Sequence, residues 1–366
     1  MQTFKLGHSH HANWLTAVDE CLQQTGSTSD ANLGFIYLTD SMAEQLGNIL
    51  RELKTRTGIM HWVGSVGQAI LCTNTEYSDE PALVIMVAGF PDSSFSVFDL
   101  AKDSHHPVPE AEAAGLRFAI VHGDPRNGQL PELIEQLPER LGNGYLVGGL
   151  TSSNTHYYQI ADDIIEGTLS GVVFNDQVQV ATGVSQGCSP IGPVHTLTEC
   201  DHHMAISIDQ RPALDVFKED IGEVLARDID RAAGYIFAGF PVVGSDTGDY
   251  LVRNVIGIDP ENNLLAIGDH MTRGAPIMFC RRDSKSAAED MQRMLSNLKS
   301  RLSGPPRGGI YISCVGRGQH LFGESGREMK MISEALGDIP LAGFYANGEI
   351  AGQNLYGYTG VLTLFL

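Results

Sequence analysis

Several absences narrow this sequence before any motif is read. No stretch reaches the ~18 apolar residues that a membrane-spanning helix needs. The longest strongly apolar run, Pro81 to Phe90, has the length of a buried strand. Positive charge is scarce: 24 Lys+Arg stand against 44 Asp+Glu, for a net charge of −20. Nucleic acid and anionic membranes both call for a basic footprint, so neither is an expected partner. The six cysteines (Cys21, Cys72, Cys188, Cys200, Cys280 and Cys314) include no C-x-x-C pair. That removes zinc ribbons, thioredoxin-type motifs and a disulfide scaffold. The start, Met1-Gln2-Thr3-Phe4-Lys5 and then His8, His10 and His11, lacks the apolar core and cleavage site of a signal peptide. The expectation is a cytoplasmic protein with reduced thiols.

What is present is globular in character. Hydrophobic residues make up 42% and charged residues 19% of the 366 residues. At ~100–200 residues per domain, that length predicts about two domains, each with its own core. Glycine is in excess, with 41 residues, and implies many tight turns or close backbone approaches.

Hydrophobic periodicity alternates between helix and strand. Helices are predicted over about Ala12 to Gln24, Met42 to Thr57, Leu130 to Leu141 (interrupted by Pro138), Pro212 to Arg227, Ser284 to Leu302 and Arg327 to Leu336. Ser41 with Glu44 reads as a capping box for the second of these, and Gly58 as its stop. Strands are predicted at Leu33 to Leu38, Met60 to Val66, Pro81 to Gly89, Leu116 to Val121, Tyr145 to Leu150, Gly167 to Phe174, Gly309 to Cys314, Pro340 to Ala346 and Gly360 to Phe365, with shorter ones between residues 178 and 280. Three strand–helix–strand–strand units of ~55–60 residues suggest a duplicated architecture. The fold class is α/β (mixed α+β), with two packed domains and mixed sheets. A boundary near residue 200 divides the chain into 1–200, with a helical N-terminal extension to about 30, and 201–366.

Most short motifs fail their context test. Gly183-Val184-Ser185-Gln186-Gly187 matches G-x-S-x-G, but Pro190 and Pro193 break the helix that a nucleophile elbow needs. The histidines at 8, 10 and 11, at 105 and 106, and at 202 and 203 lack zinc spacings, so no metal is expected. A single buried histidine as haem ligand stays open, since spacing cannot detect it. Gly142-Asn143-Gly144 precedes a strand instead of linking a strand to a helix, and no G-x-x-x-x-G-K-[ST] loop occurs. Nucleotide binding is not expected.

The richest constellation is Ser313-Cys314-Val315-Gly316-Arg317-Gly318, a glycine loop between an apolar strand and a helix. Such a loop can offer backbone amides to an anionic group, and Arg317 can clamp a carboxylate. Equally, Arg317 can pair with an acid such as Glu349. Asn347-Gly348 is a strong turn signal, with Glu349 just past it. Gly64-Ser65-Val66-Gly67-Gln68 is an analogous small-residue turn, and Gly148-Gly149 ends another strand.

These residues resemble a known family. The run 313–318, then Phe322, Glu328, Leu336-Gly337, Pro340 and Gly343-Phe344-Tyr345-Ala346-Asn347-Gly348-Glu349-Ile350, is similar to the C-terminal signature of FIST proteins. Tyr250 to Gly257 and Tyr358 to Leu362 also resemble that half. Gly64 to Gly67, Glu76, Pro81-Ala82-Leu83, Phe90-Pro91 and Gly148-Gly149 resemble the N-terminal half more loosely. Gln68 departs from the acidic residue common at that turn.

The resemblance implies a stand-alone intracellular sensor with an N-terminal and a C-terminal FIST domain. Its ligand would be an amino acid or similar small metabolite, and a partner protein would carry the signal. The expected ligand-binding residues are Ser65, Gly67, Gly149, Arg253, Cys314, Arg317, Gly318, Asn347 and Glu349. Three rival readings remain: a haem-carrying nitric-oxide-type sensor, an enzyme with Cys314 as nucleophile, and a protein-interaction receptor by fold analogy. No catalytic motif and no cofactor other than possible haem is expected; the oligomeric state is undetermined.

Overall fold

The computed structural model describes residues 4–91, 93–101, 118–226, 234–242 and 248–366, without the side chains of 223–226. The histidine pair at 105 and 106 lies outside the described residues. Packing divides the chain into two compact units, Met1–Val184 with Arg293–Leu366, and Ser185–Gln292.

The first unit is built from three copies of one arrangement. The first copy runs β1 (Lys5–Ser9), α1 (Trp14–Thr25), β2 (Leu33–Thr39), α2 (Leu46–Thr57), β3 (His61–Gly67), β4 (Ala69–Cys72), β5 (Thr75–Ser78) and β6 (Leu83–Ala88). The second runs β7 (Phe95–Asp99), β8 (Phe118–Gly123), α3 (Leu130–Arg140), β9 (Tyr145–Leu150), β10 (Gln159–Ala161), β11 (Asp163–Ile165) and β12 (Leu169–Phe174). The third opens with β13 (Val180–Ser185) and is then interrupted by the second unit.

That insertion holds β14 (Ser189–Pro190), β15 (His195–Asp201), β16 (Met204–Ile208), β17 (Arg211–Pro212), α4 (Ala213–Ala226), β18 (Ile236–Pro241), β19 (Tyr250–Asp259), β20 (Leu264–Ile267) and β21 (Pro276–Arg281). The chain returns through α5 (Ser284–Arg301) and completes the third copy. The remaining elements are β22 (Gly308–Cys314), α6 (Gly318–Phe322), α7 (Arg327–Leu336), β23 (Leu341–Ala346), β24 (Glu349–Ala351), β25 (Asn354–Tyr356) and β26 (Gly360–Phe365).

Each copy seeds one six-stranded sheet. The strand orders are β1-β6-β2-β3-β10-β11, β25-β24-β9-β8-β12-β7 and β13-β26-β22-β23-β4-β5. In every sheet one parallel pair, β2/β3, β8/β9 or β22/β23, is flanked by an antiparallel third strand. Each copy then lends its hairpin to another copy's sheet: β4/β5 joins β23, β10/β11 joins β3, and β24/β25 joins β9. The three loans close a cycle, so no copy completes its own sheet.

The same glycine makes each crossing possible. A Cβ on Gly64, Gly148 or Gly343 would lie 1.7, 2.0 or 1.7 Å from the carbonyl oxygen of Ile36, Val121 or Tyr311. No side chain fits at such a distance, so each position is restricted to glycine by close approach.

Helices cover the outer faces for reasons visible in sequence. Leu46, Ile49, Leu50 and Leu53 form the buried stripe of α2 and pack with Ile36, Leu38, Trp62 and Leu83. Fully burying such a side chain contributes about 1.5–3 kcal/mol. In the second sheet, Leu130, Ile134 and Leu137 of α3 share a core with Ile350 from the lent hairpin.

Two local expectations need correcting. The segment Asp40–Gln45 is a 3₁₀ turn, and α2 starts at Leu46 without a side-chain cap. Ser41 meets the Thr39 hydroxyl at 3.2 Å instead of capping the helix. Pro138 does not interrupt α3 but sits inside its last turn. The helix ends two residues later at Arg140, and the Pro138 carbonyl accepts from the Leu141 and Gly144 amides of the closing turn.

In the second unit, β21, β15, β16, β20, β19 and β18 pair antiparallel in order, and β18 pairs back with β21. This closes a small barrel. Leu214, Phe217 and Ile221 of α4 pack with Leu197, Ile236, Leu265 and Phe279 of its strands. No helix follows Ser185, whose hydroxyl donates to Asp290 Oδ2 at 2.9 Å. Among the described residues, no helix is long and apolar enough to cross a membrane.

Candidate functional site

The parallel strands β22 and β23 end together at Cys314 and Ala346. The glycine loop and the Asn347 turn both leave from there, so most of the expected residues meet at one end of the third sheet. What each does there follows from its neighbours.

Arg317 is buried, with 0% side-chain exposure, and is paired with Glu328 of α7. Its Nε and Nη2 both donate to Glu328 Oε1, at 2.9 and 2.8 Å, and its Nη1 reaches the Tyr358 carbonyl at 3.3 Å. Glu328 also accepts from Tyr311 at 2.5 Å, from Ser313 at 3.2 Å and from the Gly318 amide at 3.2 Å. The acid that Arg317 meets is therefore Glu328 and not Glu349. Burial, with Glu328 next, raises the Tyr311 phenol well above its ordinary range. Tyr345 extends the network to Glu76 Oε2 at 3.0 Å, and the Gly326 amide donates to the same oxygen at 2.8 Å. Glu76 comes from the lent hairpin β4/β5, so this cluster fastens the first copy to the third.

The loop amides are spent internally. The Val315 amide donates to the Ala346 carbonyl, Arg317 to the Cys314 carbonyl and Gly318 to Glu328. The Gly316 amide supports the Cys314 sulfur. Gly318 takes φ +60°, and a Cβ there would lie 2.7 Å from the Tyr345 hydroxyl.

Glu349 differs from all of these. It is fully buried, opposite Gly149 across β24 and β9. Its Oε2 accepts from the Thr359 amide at 3.0 Å and the Thr359 hydroxyl at 2.8 Å, while its Oε1 has no hydrogen-bond partner. Burial pushes its carboxyl up to about 8, against the smaller lowering effects of its hydrogen bonds from Thr359, of the Arg317 charge and of a hydrogen bond from the Cys314 thiol. Burial, with Glu349 next, pushes the Cys314 thiol up to about 12. A thiol so protonated is a weak nucleophile.

Asn347 is the exposed tip of this turn, and its amide donates to the Leu150 carbonyl at 2.9 Å. Gly149 is required by packing, since a Cβ would meet Ala346 Cβ at 2.7 Å and Ile312 Cγ2 at 2.8 Å. At Gly67 the same construction meets the Ala69 carbonyl at 2.9 Å. Ser65 is fully buried and shares a hydrogen bond of 2.9 Å with Thr151. Ser152 joins two turns, accepting from the Gln68 amide at 2.9 Å and donating to the Tyr345 carbonyl. Arg253 belongs to the second unit, where Nε pairs with Asp269 at 2.7 Å.

Among the described residues, no three His, Cys, Asp or Glu side chains are gathered as a metal would need. His8 meets Tyr77 at 2.5 Å, His10 meets Glu80 at 3.0 Å, and His195 lies between Asp209 and Asp220 at 2.7 and 3.0 Å. Sequence reasoning missed Glu328 as a partner, although a charged residue on the buried face of α7 was a signal. It also missed His122, whose signal was a lone imidazole in the otherwise apolar strand Phe118–Gly123.

The sequence matches the FIST N domain over residues 32–211 and the FIST C domain over residues 213–352. It is 30% identical over 349 residues to an uncharacterized protein of Mycobacterium tuberculosis, covering 89% of each chain. It is 29% identical over 360 residues to an uncharacterized protein of Mycobacterium bovis, covering 91% of this chain and 89% of the other.

Proposed function

This chain belongs to the FIST family, whose domains are sensory modules for small ligands in signalling, and from that premise we propose that it senses an amino acid or similar small metabolite at the Glu349 turn. The observation that supports this reading is the unpartnered Oε1 of a fully buried Glu349. A buried polar atom without a partner costs about 1–3 kcal/mol, which a ligand group placed there would offset. The Cys314 thiol hydrogen-bonds the same carboxyl, while Arg317 holds the loop in place through Glu328 instead of touching the ligand.

The chemistry of the turn selects the ligand group. A carboxyl held at about 8 is mostly protonated at neutral pH. An ammonium group arriving beside it favours the ionised form, so binding releases a proton and tightens as pH rises toward 8. The signal then leaves through a partner protein, because a ligand acts only by favouring one conformation over another.

A thermal-shift screen of amino acids, small organic acids and haem tests this reading. A ligand that binds the native state raises the midpoint. The expected result is an amino-acid hit that stabilises the wild type and is lost in Glu349→Gln. A hit that stabilises both proteins equally would move the site elsewhere.

A further inference from the structure

The three copies provide an internal control. In each sheet, one row of residues crosses four strands at equivalent positions. The rows are Gln159–Ser65–Tyr37–Val84, Glu349–Gly149–His122–Ser170 and Ile70–Phe344–Ile312–Val361. Side chains in register across a sheet share a face. The third row is wholly apolar, so the architecture does not require polar side chains there.

Even so, Gln159, Ser65, Tyr37, His122 and Ser170 are all completely buried, and so is Thr151 beside them. Tyr37 shares a hydrogen bond of 3.2 Å with His122 Nε2 and stacks on Phe344 at 5.4 Å, so the three rows meet. Ser65 pairs with Thr151, which accepts from Gln159 Nε2 at 3.4 Å. The Thr151 amide donates to the Gly123 carbonyl, one residue past His122. Besides Glu349 Oε1, three atoms in these rows lack any partner: His122 Nδ1, Ser170 Oγ and Gln159 Oε1. His122 and Ser170 stand directly opposite each other across β8 and β12.

Valine occupies the Ser170 position in both other copies, and an apolar residue there avoids the cost of an unpaired hydroxyl. The polar atoms call for a partner that the protein does not supply. That partner is uncharged, because burial pushes His122 down to about 3 and keeps it neutral. The three unpartnered atoms themselves belong to side chains without charge, which suit an uncharged partner. Asp99, the next residue along the row, accepts from the Ala101 amide at 2.9 Å. The partner must also donate, since an amide oxygen only accepts. Gly149 stands between His122 and Glu349 in the row, and Ala346 Cβ and Ile312 Cγ2 fill the space over it.

We infer that this layer is an internal binding site for a small uncharged hydrogen-bonding guest, held by His122, Ser170 and Gln159. The guest is either trapped water or a small amide-type solute. The site stands whether or not an amino acid binds at the Glu349 turn.

The test uses the full chain, as wild type, Ser170→Ala and Ser170→Val, with folding checked by circular dichroism. Water-oxygen magnetic relaxation dispersion reads long-lived internal water, and tryptophan fluorescence reads the thermal midpoint. In Ser170→Ala the midpoint is expected to fall by about 2–4 °C, because the guest loses a partner. If the guest is water, the long-lived water signal also drops in that variant, and acetamide has no effect on either protein. If it is a solute, acetamide raises the wild-type midpoint, and this effect is lost in Ser170→Ala. The inference is overturned if the alanine variant keeps the wild-type relaxation signal and its midpoint is unchanged or higher. Should the bulkier valine prevent folding, the alanine variant decides alone.

Discussion

The buried carboxyl of Glu349 makes stability depend on pH in a direction that can be worked out in advance. Its folded value, about 8, lies above the ordinary 4.5, so the fold favours the neutral form. The stabilisation is complete below 4.5 and is lost as pH rises through about 8. At 1.36 kcal/mol per pH unit, the loss totals roughly 5 kcal/mol over the whole window, and roughly 2 kcal/mol between pH 6.5 and 8. His122 acts on the other side. Its folded value, about 3, lies below the ordinary 6.5, so it weakens the fold only as pH falls below 6.5. His195, raised by Asp209 and Asp220 against the larger single effect of burial, which lowers it, also loses stabilisation as pH rises above 6.5. The comparison with a variant that leaves His195 unchanged is therefore what isolates Glu349. The perturbation is Glu349→Gln, which keeps an acceptor for Thr359 and cannot ionise. The assay is urea unfolding followed by tryptophan fluorescence, since both tryptophans, Trp14 and Trp62, lie in the first unit. Wild type should lose about 2 kcal/mol relative to the variant between pH 6.5 and 8. Parallel pH profiles for the two proteins would refute the reasoning.

Two further predictions concern the frame of the site. Arg317→Ala leaves Glu328 buried without its countercharge and should destabilise the first unit by about 3–5 kcal/mol in the same urea assay; a change under about 0.5 kcal/mol would mean a surface-like pair. Gly343→Ala places a Cβ 1.7 Å from the Tyr311 carbonyl and should cost more than about 4 kcal/mol, or prevent folding altogether. Near-wild-type unfolding of that variant would mean that the β22/β23 crossing is looser than its geometry indicates.

The strands and helices were legible because each carries its own periodicity. The buried stripe of α2 and the apolar run of β6 announce themselves within a dozen residues. Local signals misled where a neighbour in space competed for the same group. Ser41 looks like a cap but meets Thr39, and Arg317 looks like an open clamp but is taken by Glu328, eleven residues on. The turn residues Gly149, Asn347, Glu349 and Cys314 were readable as a group through the family signature. Their individual surroundings were not, since the role proposed for Glu349 rests on one oxygen being left without a partner.

The sequence by itself determined the element types, the three strand–helix–strand–strand units and the family, all of which rest on short-range pattern and residue identity. Tertiary structure alone decided which sheet each hairpin completes, and so that the three units close a cycle in which none finishes its own sheet. It also decided that a barrel of about a hundred residues is inserted between β13 and the rest of the third copy. Strand pairing is a long-range choice: any edge offers the same row of amides and carbonyls, and only packing of the faces selects among them. Burial is equally non-local. Glu349, Arg317 and His122 are ordinary polar residues in the sequence, and only the surrounding sheets, by excluding water, make one a raised acid, one a locked countercharge and one a neutral imidazole.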